Sequence, residues 1–598
     1  VQDGVTPARW VHKWGEYVSR PEQADIPKPV VDEVIAGTRR IARRFRRPAD
    51  LEWVWDGERL WWVQLRPITA IDNVTIYSNR ISREFLPGMI KPLVWSVNIP
   101  LVNAAWIRLF DELVGHTGLE PDELARSFHY RAYFSLTAVG RVFQVLGLPQ
   151  ETLELLLGIE HTGPEKPRFR PSARTWRLLP RMLWAVFDKW RFDRRLRRFL
   201  DPARGRFDEL RAERLATLDE PGLLRHVDRL HELGTETAYY NIVVPLLMQL
   251  YNRLVRTRLR RAGLDWERFD PALGMPELAE HDPKSLLAGL NARYLGLEPA
   301  DREAIAARGH AALAEPALAG FRREVDRFIE RFGHFSASGN DFSVRPWRED
   351  KDLVVRMVVE FSAPPAPARD ASAVGRALRG PFSRLALRRA RRFRVYREQV
   401  SSLYTFGYGL FRDVFLELGS RFTGDGRLDR PDDILYLYLG EVRRAVAGDG
   451  ADLRALAAAR RREMAAVADA PLPTIIFGDD APPVYDETGS RLRGTPTSRG
   501  YYRGPVRVIR SPAESGRLRP GDVLVIPFSD VGWTPLFARA GAVVSGSGGM
   551  LSHSSIVARE YGIPAVVSVN GALDLADGVV VAVDGYKGEI TIQEEEAP

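Results

Sequence analysis

The spacing of hydrophobic residues changes twice along the chain of 598 residues. In residues 29–47, apolar side chains recur at helical spacing, and residues 51–67 then form two β-rich runs around Asp56-Gly57, a dipeptide typical of hairpin turns. Residues 73–472 carry helical stripes, and from residue 489 short apolar runs alternate with Gly, Pro and Asp. The pattern predicts a helix and hairpin, a large helical region and a β-rich carboxy-terminal domain.

The helical region contains two clear apolar stripes, in residues 223–233 and 318–332, and Gly333 stands where a helix C-cap is expected after the second. Clusters of Pro and Gly divide the region into many helices, and no repeat of fixed period is present. Since a solenoid requires such a repeat, we predict an all-α middle domain over residues 73–472.

The carboxy-terminal region predicts a compact domain of alternating short strands, preceded by a stretch rich in Pro, Asp and Gly at residues 469–489. One helix, at 553–561, falls between two of the strands, which indicates a βα crossover. The predicted strands are 506–509, 523–526, 542–544, 565–569, 579–583 and 589–592. We place the linker at residues 473–488 and the domain at 489–598.

Composition excludes several classes of site. The chain has no cysteine, so disulfide scaffolds, cysteine nucleophiles, zinc ribbons and iron–sulfur clusters are absent. None of its ten histidines belongs to a His-Glu-x-x-His motif. His226 and His231 are five residues apart within a helical stripe, and helical periodicity accounts for them better than a metal pair does.

The net charge of +8 comes mainly from arginines in residues 39–47, 177–206 and 376–397. These arginines alternate with apolar residues at helical spacing, which favours solvated faces of amphipathic helices over binding to nucleic acid or a membrane surface. We find no apolar run long enough to span a bilayer and no secretory signal. We therefore expect a cytoplasmic protein with no nucleic-acid partner, and membrane binding is not expected.

The densest candidate for chemistry is the glycine- and serine-rich segment 546–555 around His553. Ser552 is a suitable N-cap, which would place His553 in the first turn of the following helix. A helix N-terminus attracts anions and lowers the pKa of a histidine, and a phosphoryl acceptor needs both properties. Phosphoryl acceptance and a structural capping role both remain open at this point, whereas a nucleophile elbow, a dinucleotide fingerprint and a P-loop do not fit the spacing.

Residues 548–553 (Gly-Gly-Met-Leu-Ser-His) and 558–566 (Ala-Arg-Glu-Tyr-Gly-Ile-Pro-Ala-Val) resemble the swivelling phosphohistidine domain of phosphoenolpyruvate (PEP)-utilising phosphotransferases. This family includes phosphoenolpyruvate synthase, pyruvate phosphate dikinase and rifampicin phosphotransferase, and residues 494–506, 521–525 and 527–537 agree with it. The resemblance implies that His553 carries a phosphoryl group between two sites, supported by Gly548, Gly549, Ser552 and Arg559. The dikinases have a regulated threonine where this chain has Leu551, so that control is not expected.

The amino-terminal hairpin resembles the end of the family's ATP-grasp domain, so residues 1–72 are interpreted as its carboxy-terminal remnant. The resemblance assigns Glu52, Gln64 and Arg66 to nucleotide binding, with Glu52 and Gln64 also holding Mg²⁺. An ordinary surface hairpin is the alternative. The remaining ATP-grasp region is expected upstream of Val1 or on a separate chain.

The order of the domains resembles rifampicin phosphotransferase, because about 400 helical residues precede the phosphohistidine domain. The resemblance implies a multidomain α+β enzyme that uses ATP and Mg²⁺ to phosphorylate a small-molecule acceptor. The helical domain would hold the acceptor. The implied activity resembles that of rifampicin phosphotransferase or of pyruvate, water dikinase. The alternative is a non-catalytic or partner-dependent phosphocarrier whose basic helices dock a protein or a membrane.

Strand parity gives one further expectation. Glu52 and Gln64 can share a metal only if they lie on one face of the hairpin, and a two-residue turn at Asp56-Gly57 would place them on opposite faces. We therefore predict an irregular turn that pairs Glu52 with Trp62, with Trp61 and Val63 on the other face.

Overall fold

The computed structural model describes most of the chain as a mainly helical molecule with a carboxy-terminal sheet domain. The described residues are 10–13, 16–19, 26–45, 49–67, 75–148, 171–261, 283–336, 338–361, 380–448, 450–468, 472–479, 481, 491–529, 531–548, 552–586 and 588–592.

The amino-terminal part consists of two hairpins separated by a helix. Strands β1 (Val11–Lys13) and β2 (Glu16–Ser19) form the first hairpin, and β3 (Ala49–Trp55) and β4 (Leu60–Pro67) form the second. Helix α1 (Lys28–Phe45) packs on β3, and the ring of Trp62 lies so close to Gly37 that a Cβ there would be 2.3 Å from it. A helix and hairpin were predicted here and are present. The assignment of this part to an ATP-grasp domain stays a prediction.

The middle region is built on three long helices whose apolar stripes face one another. Its described helices are α2 (Ser82–Phe85), α3 (Pro92–Val114), α4 (Pro121–Leu124), α5 (Leu136–Val145), α6 (Ala173–Arg177), α7 (Leu179–Trp190), α8 (Phe192–Ala212), α9 (Glu220–Arg261), α10 (Pro283–Leu295), α11 (Pro299–Arg308), α12 (Ala319–Phe332), α13 (Lys351–Glu360), α14 (Pro381–Gly424), α15 (Leu439–Val446) and α16 (Leu453–Ala466). Helix α9 packs along α14 and α3. Both predicted stripes are confirmed, since the first lies within α9 and the second coincides with α12.

The all-α description of this region is wrong in one respect. A four-stranded antiparallel sheet, in the order β6-β7-β5-β8, lies beside the helices. Its strands are β5 (Ile76–Ser78), β6 (Ala125–Phe128), β7 (Arg131–Ser135) and β8 (Ile475–Phe477). These strands are only three to five residues long, so they carry too little alternation to be distinguished from loops in the sequence.

Strand β8 also falls inside the predicted linker, so part of residues 473–488 is structured. It pairs with β5 and thereby joins the middle region rather than the carboxy-terminal domain. Residues 480 and 482–490 lie outside the described residues.

The carboxy-terminal domain is an eight-stranded mixed sheet in the order β10-β14-β13-β12-β11-β15-β16-β9. Its strands are β9 (Arg491–Arg493), β10 (Thr495–Ser498), β11 (Tyr501–Val508), β12 (Val523–Ile526), β13 (Ala542–Ser545), β14 (Ala565–Val567), β15 (Val580–Asp584) and β16 (Glu589–Ile592); its helices are α17 (Thr534–Phe537) and α18 (His553–Tyr561). Strands β11 to β14 pair in parallel, and α18 connects β13 to β14. The predicted βα crossover is confirmed, and the six predicted strands are present with small differences at their ends.

The carboxy-terminal domain touches the helical region through polar groups close to α18. Lys284 Nζ, at the start of α10, lies 3.0 Å from Glu560 Oε2 in α18. Arg83 donates a hydrogen bond of 3.4 Å to Asn570 Oδ1. These contacts join the end of α18 and the segment after β14 to the middle region.

Among the described residues, α3 is long and apolar enough to cross a bilayer, a feature that the sequence analysis missed. Most of its apolar stretch, 61%, is buried inside the protein, where α3 packs against α9 and α15. Core helices of soluble proteins have the same properties, so this helix is weak evidence for a membrane span.

Candidate phosphohistidine site

The segment around His553 folds as a strand, a glycine loop and a helix. Strand β13 is fully buried, and after the loop α18 begins at His553, with Ser552 at the N-cap in extended conformation (φ −63°, ψ 156°). The sequence predicts that the Ser552 side chain caps a backbone N–H group, but in the structure it does not. Its hydroxyl lies 2.9 Å from that of Ser555 and 3.1 Å from that of Ser554. The position of the cap was therefore predicted correctly, but its hydrogen bonding was not.

The glycine loop is held by two serines and requires glycine at position 548. Gly548 has φ +124°, and a Cβ atom there would lie 2.9 Å from Ser552 Oγ. Ser568 donates a hydrogen bond of 2.5 Å to the Gly548 carbonyl oxygen, and Ser545 donates one of 2.6 Å to that of Ser547. Ser568 itself has φ +57°, a strained conformation for a residue with a side chain. The loop is thus fixed from both neighbouring strands, while Gly549 lies outside the described residues.

The imidazole of His553 is half-buried and oriented by a buried threonine. Its Nε2 atom lies 3.2 Å from the hydroxyl oxygen of Thr534, the first residue of α17. Thr534 belongs to the segment Gly-Trp-Thr-Pro at 532–535, but the sequence gave no indication that its hydroxyl reaches the histidine. A hydroxyl can donate to a neutral imidazole nitrogen or accept from a protonated one, so this contact fixes the ring orientation.

The electrostatic setting keeps His553 neutral. Burial lowers the pKa of His553 well below its usual range, and the positive charges of Lys284 and Arg397 lower it further. The predicted direction of the pKa shift is confirmed, but its causes are burial and cations of the helical region. A neutral imidazole retains the lone pair that a nucleophile needs.

Those two cations belong to a cluster that consists of Lys284, Arg394, Arg397 and Glu398. Arg394 forms an ion pair with Glu398, and Arg397 Nη1 lies 3.4 Å from Glu398 Oε1. Although burial raises the pKa of Glu398, Arg394 and Arg397 lower it below its usual range, so Glu398 is ionised. Lys284 also pairs with Glu560, so this "cationic cluster" of three cations keeps a net positive charge after both carboxylates are counted, and positive charge is what a phosphoryl group requires.

Sequence analysis did not identify the cationic cluster. Lys284 and Arg397 are more than 150 residues from His553 along the chain, and they stand among many other basic residues of helical spacing. Only the folded structure distinguishes them, because it brings Lys284 to Glu560 of α18 and both cations within electrostatic reach of His553.

Arg559 is placed differently from the other predicted supporting residues. It follows His553 by six residues in a helix, a spacing that turns it to a different side of α18. Its guanidinium is exposed and donates a hydrogen bond of 3.5 Å to the carbonyl oxygen of Thr497 in β10. In the structure, His553 lies beside Ser552 and Thr534, whereas Arg559 contacts the edge strand β10 instead of the histidine site.

In the amino-terminal hairpin, Glu52 and Gln64 lie directly opposite each other as a cross-strand pair. They therefore share a face, which confirms that the hairpin is irregular. The prediction was wrong in its details. Trp55 pairs with Leu60 across a four-residue connection, and the register then shifts at a bulge between Glu52 and Trp53. Because of this bulge, Glu52 pairs with Gln64 rather than with the predicted Trp62.

The hairpin pairing also places Trp61 on the face of Glu52 rather than on the opposite one. Trp61 pairs with Val54, which is two residues from Glu52 along β3. The turn is held by Asp56, whose carboxylate accepts hydrogen bonds from the backbone N–H groups of Glu58 and Arg59. A carboxylate capping of this kind favours a wider turn than the two-residue type that Asp-Gly suggests.

The side chains of Glu52 and Gln64 are of the type that binds a hard cation, but they supply only part of a coordination shell. They offer one carboxylate and one amide oxygen, both exposed, so further ligands would have to come from elsewhere. Within the described part of the chain, no three His, Asp or Glu side chains are grouped so that they could hold a metal ion. Arg66 lies in β4 opposite Asp50, and the structure describes only its backbone.

Comparison with known proteins agrees with this geometry. The model for the PEP-utilising enzyme mobile domain matches residues 518–588, which include the glycine loop, His553 and Thr534. An uncharacterised protein of Mycobacterium tuberculosis is 35% identical over 281 residues, 46% of this chain and 32% of the relative. Rifampicin phosphotransferase of Bacillus cereus is 30% identical over 212 residues, 34% of this chain and 24% of that enzyme.

A third relative aligns with almost the whole chain. The prodigiosin synthesizing transferase PigC of Serratia marcescens is 23% identical over 676 aligned positions, which cover 96% of this chain and 72% of PigC. The chain spans about a third of the length of the M. tuberculosis relative, so the activities of whole relatives enter below only as proposals. The carboxy-terminal domain of this chain is therefore a PEP-utilising enzyme mobile domain, and phosphotransferases are among the relatives of the chain.

Proposed function

We propose that this chain is part of an ATP-dependent phosphotransferase of the dikinase type, in which His553 carries a phosphoryl group to a small-molecule acceptor. The observation that carries the proposal is that His553, at the start of α18 with its Nε2 atom 3.2 Å from the Thr534 hydroxyl, lies close enough to Lys284 and Arg397 of the helical region for their charges to lower its pKa. A carrier histidine must hand its phosphoryl group to a second site, and such a site needs positive charge that stabilises the group during transfer.

The first half-reaction phosphorylates His553. By analogy with the family, a ring nitrogen of neutral His553 attacks the β-phosphorus of ATP, and the new N–P bond forms as the bond from that phosphorus to AMP breaks, so that His553 carries a pyrophosphoryl group. Water then attacks the γ-phosphorus, the bond between the γ-phosphorus and the bridging oxygen breaks, and inorganic phosphate leaves with the β-phosphoryl group still on His553. The Thr534 hydroxyl, 3.2 Å from Nε2, holds the ring in orientation. Magnesium, if bound by Glu52 and Gln64, would neutralise charge on the nucleotide phosphates.

We propose that the second half-reaction occurs between the carboxy-terminal domain and the helical region, near His553. An acceptor hydroxyl attacks the phosphorus, the new O–P bond forms as the N–P bond breaks, and the hydroxyl proton leaves. Lys284 and Arg397 would stabilise the transferring group, and Glu398, the ionised carboxylate of the cluster, is placed to take the proton.

The hairpin supports a nucleotide-binding partner region in cis or on a separate chain. Two strands alone are marginally stable, and the face that bears Glu52 also exposes Val54 and Trp61, each by 54%. We propose that the remaining ATP-grasp region covers this face. A cytoplasmic location follows from the proposed use of ATP.

The test uses the protein together with any upstream region that its gene encodes. It is incubated with ATP labelled at the β- or the γ-phosphate, and the label is mapped by mass spectrometry. We expect β-label on His553, release of AMP, and transfer of the label to a hydroxylated compound from a panel. Label from the γ-position, or on another residue, would contradict the proposal, and His553→Gln serves as the control.

A further inference from the structure

Helices α6 and α7 turn an apolar face to solvent. Seven side chains of this "α6–α7 face" are 41–68% exposed: Trp176, Leu179, Leu183, Trp184, Val186, Phe187 and Trp190. Six of them lie in α7, where all but Trp184 recur at spacings of three or four residues or lie next to such a position, so those five share one side of the helix and Trp184 lies at its edge. An exposed apolar patch of this size on a folded protein marks an interaction site.

The side of α7 that packs inward carries Ala185 and Met182 together with polar groups that bind the neighbouring helices. Lys189 is 13% exposed and donates a hydrogen bond of 2.7 Å to the Tyr239 hydroxyl, and it also pairs with Glu112 in α3. Arg181 donates a hydrogen bond of 2.7 Å to the Asp111 carbonyl oxygen. Ion pairs and hydrogen bonds therefore fix α7 to the protein and leave its apolar side outward, the reverse of the usual amphipathic arrangement.

The surroundings of the α6–α7 face are strongly basic. Residues 173–198 contain nine Lys and Arg and two Asp, a net charge of +7 in a chain whose total is +8. At one end of the face, a shallow cavity of about 300 Å³ is lined by Phe187, Trp190, Arg191, Asp193, Arg194 and Arg389. Arginines beside aromatic rings can bind a phosphate group and an adjacent apolar chain together.

We propose that the α6–α7 face docks on an anionic lipid bilayer, with the tryptophans and leucines in the interface and a lipid phosphate at the arginine-lined cavity. Aromatic and aliphatic side chains flanked by arginine are the features of interfacial helices. A second copy of the chain is a poorer occupant, because two such faces would bring equal charges of the same sign together. This proposal replaces the expectation that membrane binding is absent. That expectation assumed that the basic helices turn their polar side to solvent.

The experiment is a flotation assay of the full protein with vesicles of phosphatidylcholine alone or with 30% phosphatidylglycerol. We expect flotation with the anionic vesicles that falls when salt is raised, and little flotation with phosphatidylcholine alone. The double variant Leu183→Ser/Val186→Ser should weaken binding roughly tenfold, and Arg194→Glu roughly fivefold. Leu295→Ser is the matched control, because Leu295 is 57% exposed on α10, outside the α6–α7 face, and should bind as the wild type does.

A second measurement does not depend on how well these variants fold. Because the chain has no cysteine, Leu183→Cys and Leu295→Cys each give one labelling site for an environment-sensitive fluorophore. Anionic vesicles should shift the emission of the label at position 183 to the blue and leave that at 295 unchanged. The proposal is overturned if anionic vesicles are not bound, if the double variant binds like the wild type, or if light scattering shows a dimer that the double variant converts to a monomer.

Discussion

The phosphohistidine loop and the amino-terminal hairpin resemble parts of the same family, yet the structure gives them very different surroundings. His553 is half-buried, touches Thr534 of α17 and faces Lys284 and Arg397 of two other helices. Glu52 and Gln64 face each other on an exposed two-stranded sheet. The protonation state and orientation of His553 are therefore determined by residues of the same chain. The ability of Glu52 and Gln64 to bind a ligand depends instead on the partner region that would cover them.

The largest expected effect comes from phosphorylating His553 with a small donor that needs no nucleotide site, because such a donor tests the histidine site without the hairpin. With phosphoramidate, the wild-type chain should form phosphohistidine at position 553, and His553→Gln should reduce the yield by about a thousandfold. Mapping by mass spectrometry measures the modified position. His116, whose side chain is 90% exposed, is an internal control, and equal modification of His116 would show that the setting of His553 gives no advantage.

The cationic cluster should affect the second transfer more than the first. We expect Arg397→Met to slow transfer from phosphorylated His553 to an acceptor by roughly a hundredfold, because one charge that stabilises the phosphoryl group is lost. Loading with phosphoramidate at pH 7 should persist, and single-turnover quench assays separate the two steps. Arg391→Met, an exposed position on the same helix, should leave both rates unchanged. A variant that slowed loading alone would contradict the assignment.

The same variant has a predicted effect on pH dependence. Arg397 lowers the pKa of His553, so its removal raises that pKa toward the ordinary value of 6.5, although burial, the larger cause, keeps it lower. Wild-type loading should stay constant through neutral pH and fall only as the pH approaches the lowered pKa of His553, because the imidazole is neutral above that pKa. The loading rate of Arg397→Met should begin to fall at a higher pH than that of the wild type. Identical profiles would show that the charge of Arg397 does not reach the imidazole.

Strand and helix positions in the carboxy-terminal domain could be predicted because each element is bounded by Gly, Pro or Asp and has a distinct period. Helix α18, for example, begins at His553 and ends at Tyr561 as predicted. The sheet β6-β7-β5-β8 could not be predicted, because its paired strands β5 and β8 are separated by almost 400 residues of sequence. The cationic cluster was hidden for the same reason, because nothing local distinguishes Lys284 or Arg397 from other basic residues on helices.

The hairpin shows a different limit of sequence analysis. The dipeptide Asp56-Gly57 favours a two-residue turn, but the structure has a four-residue connection in which the Asp56 carboxylate accepts backbone hydrogen bonds. Parity reasoning found that Glu52 and Gln64 could face the same side only if the hairpin were irregular. It could not locate the bulge, because a bulge has no fixed residue signature in this segment.

Gly548 allows the strain in the loop to be measured separately from the steric clash. Gly548→Ala should lower the free energy of unfolding of the domain by about 2–3 kcal/mol, because the residue has φ +124° and its Cβ would meet Ser552. Gly578→Ala is the matched control in the same domain: its φ is +89°, and a Cβ there has no neighbour within 4 Å. That control should cost only about 1 kcal/mol in denaturant unfolding. Equal losses would mean that the contact with Ser552 contributes nothing.

The smallest expected effect concerns Glu52, and it decides whether the hairpin belongs to a nucleotide site. In the protein with any upstream region that its gene encodes, Glu52→Gln should slow phosphorylation of His553 by ATP about tenfold, since a carboxylate ligand of Mg²⁺ is replaced by an amide. Phosphorylation by phosphoramidate should stay the same, and the free energy of unfolding should change by less than about 0.5 kcal/mol, because Glu52 is exposed. Glu58→Gln, an exposed carboxylate in the adjoining turn, is the control and should affect neither donor. If Glu52→Gln slowed both donors equally, its effect would be on the carrier rather than on the nucleotide, and if it slowed neither, the hairpin would be an ordinary surface element.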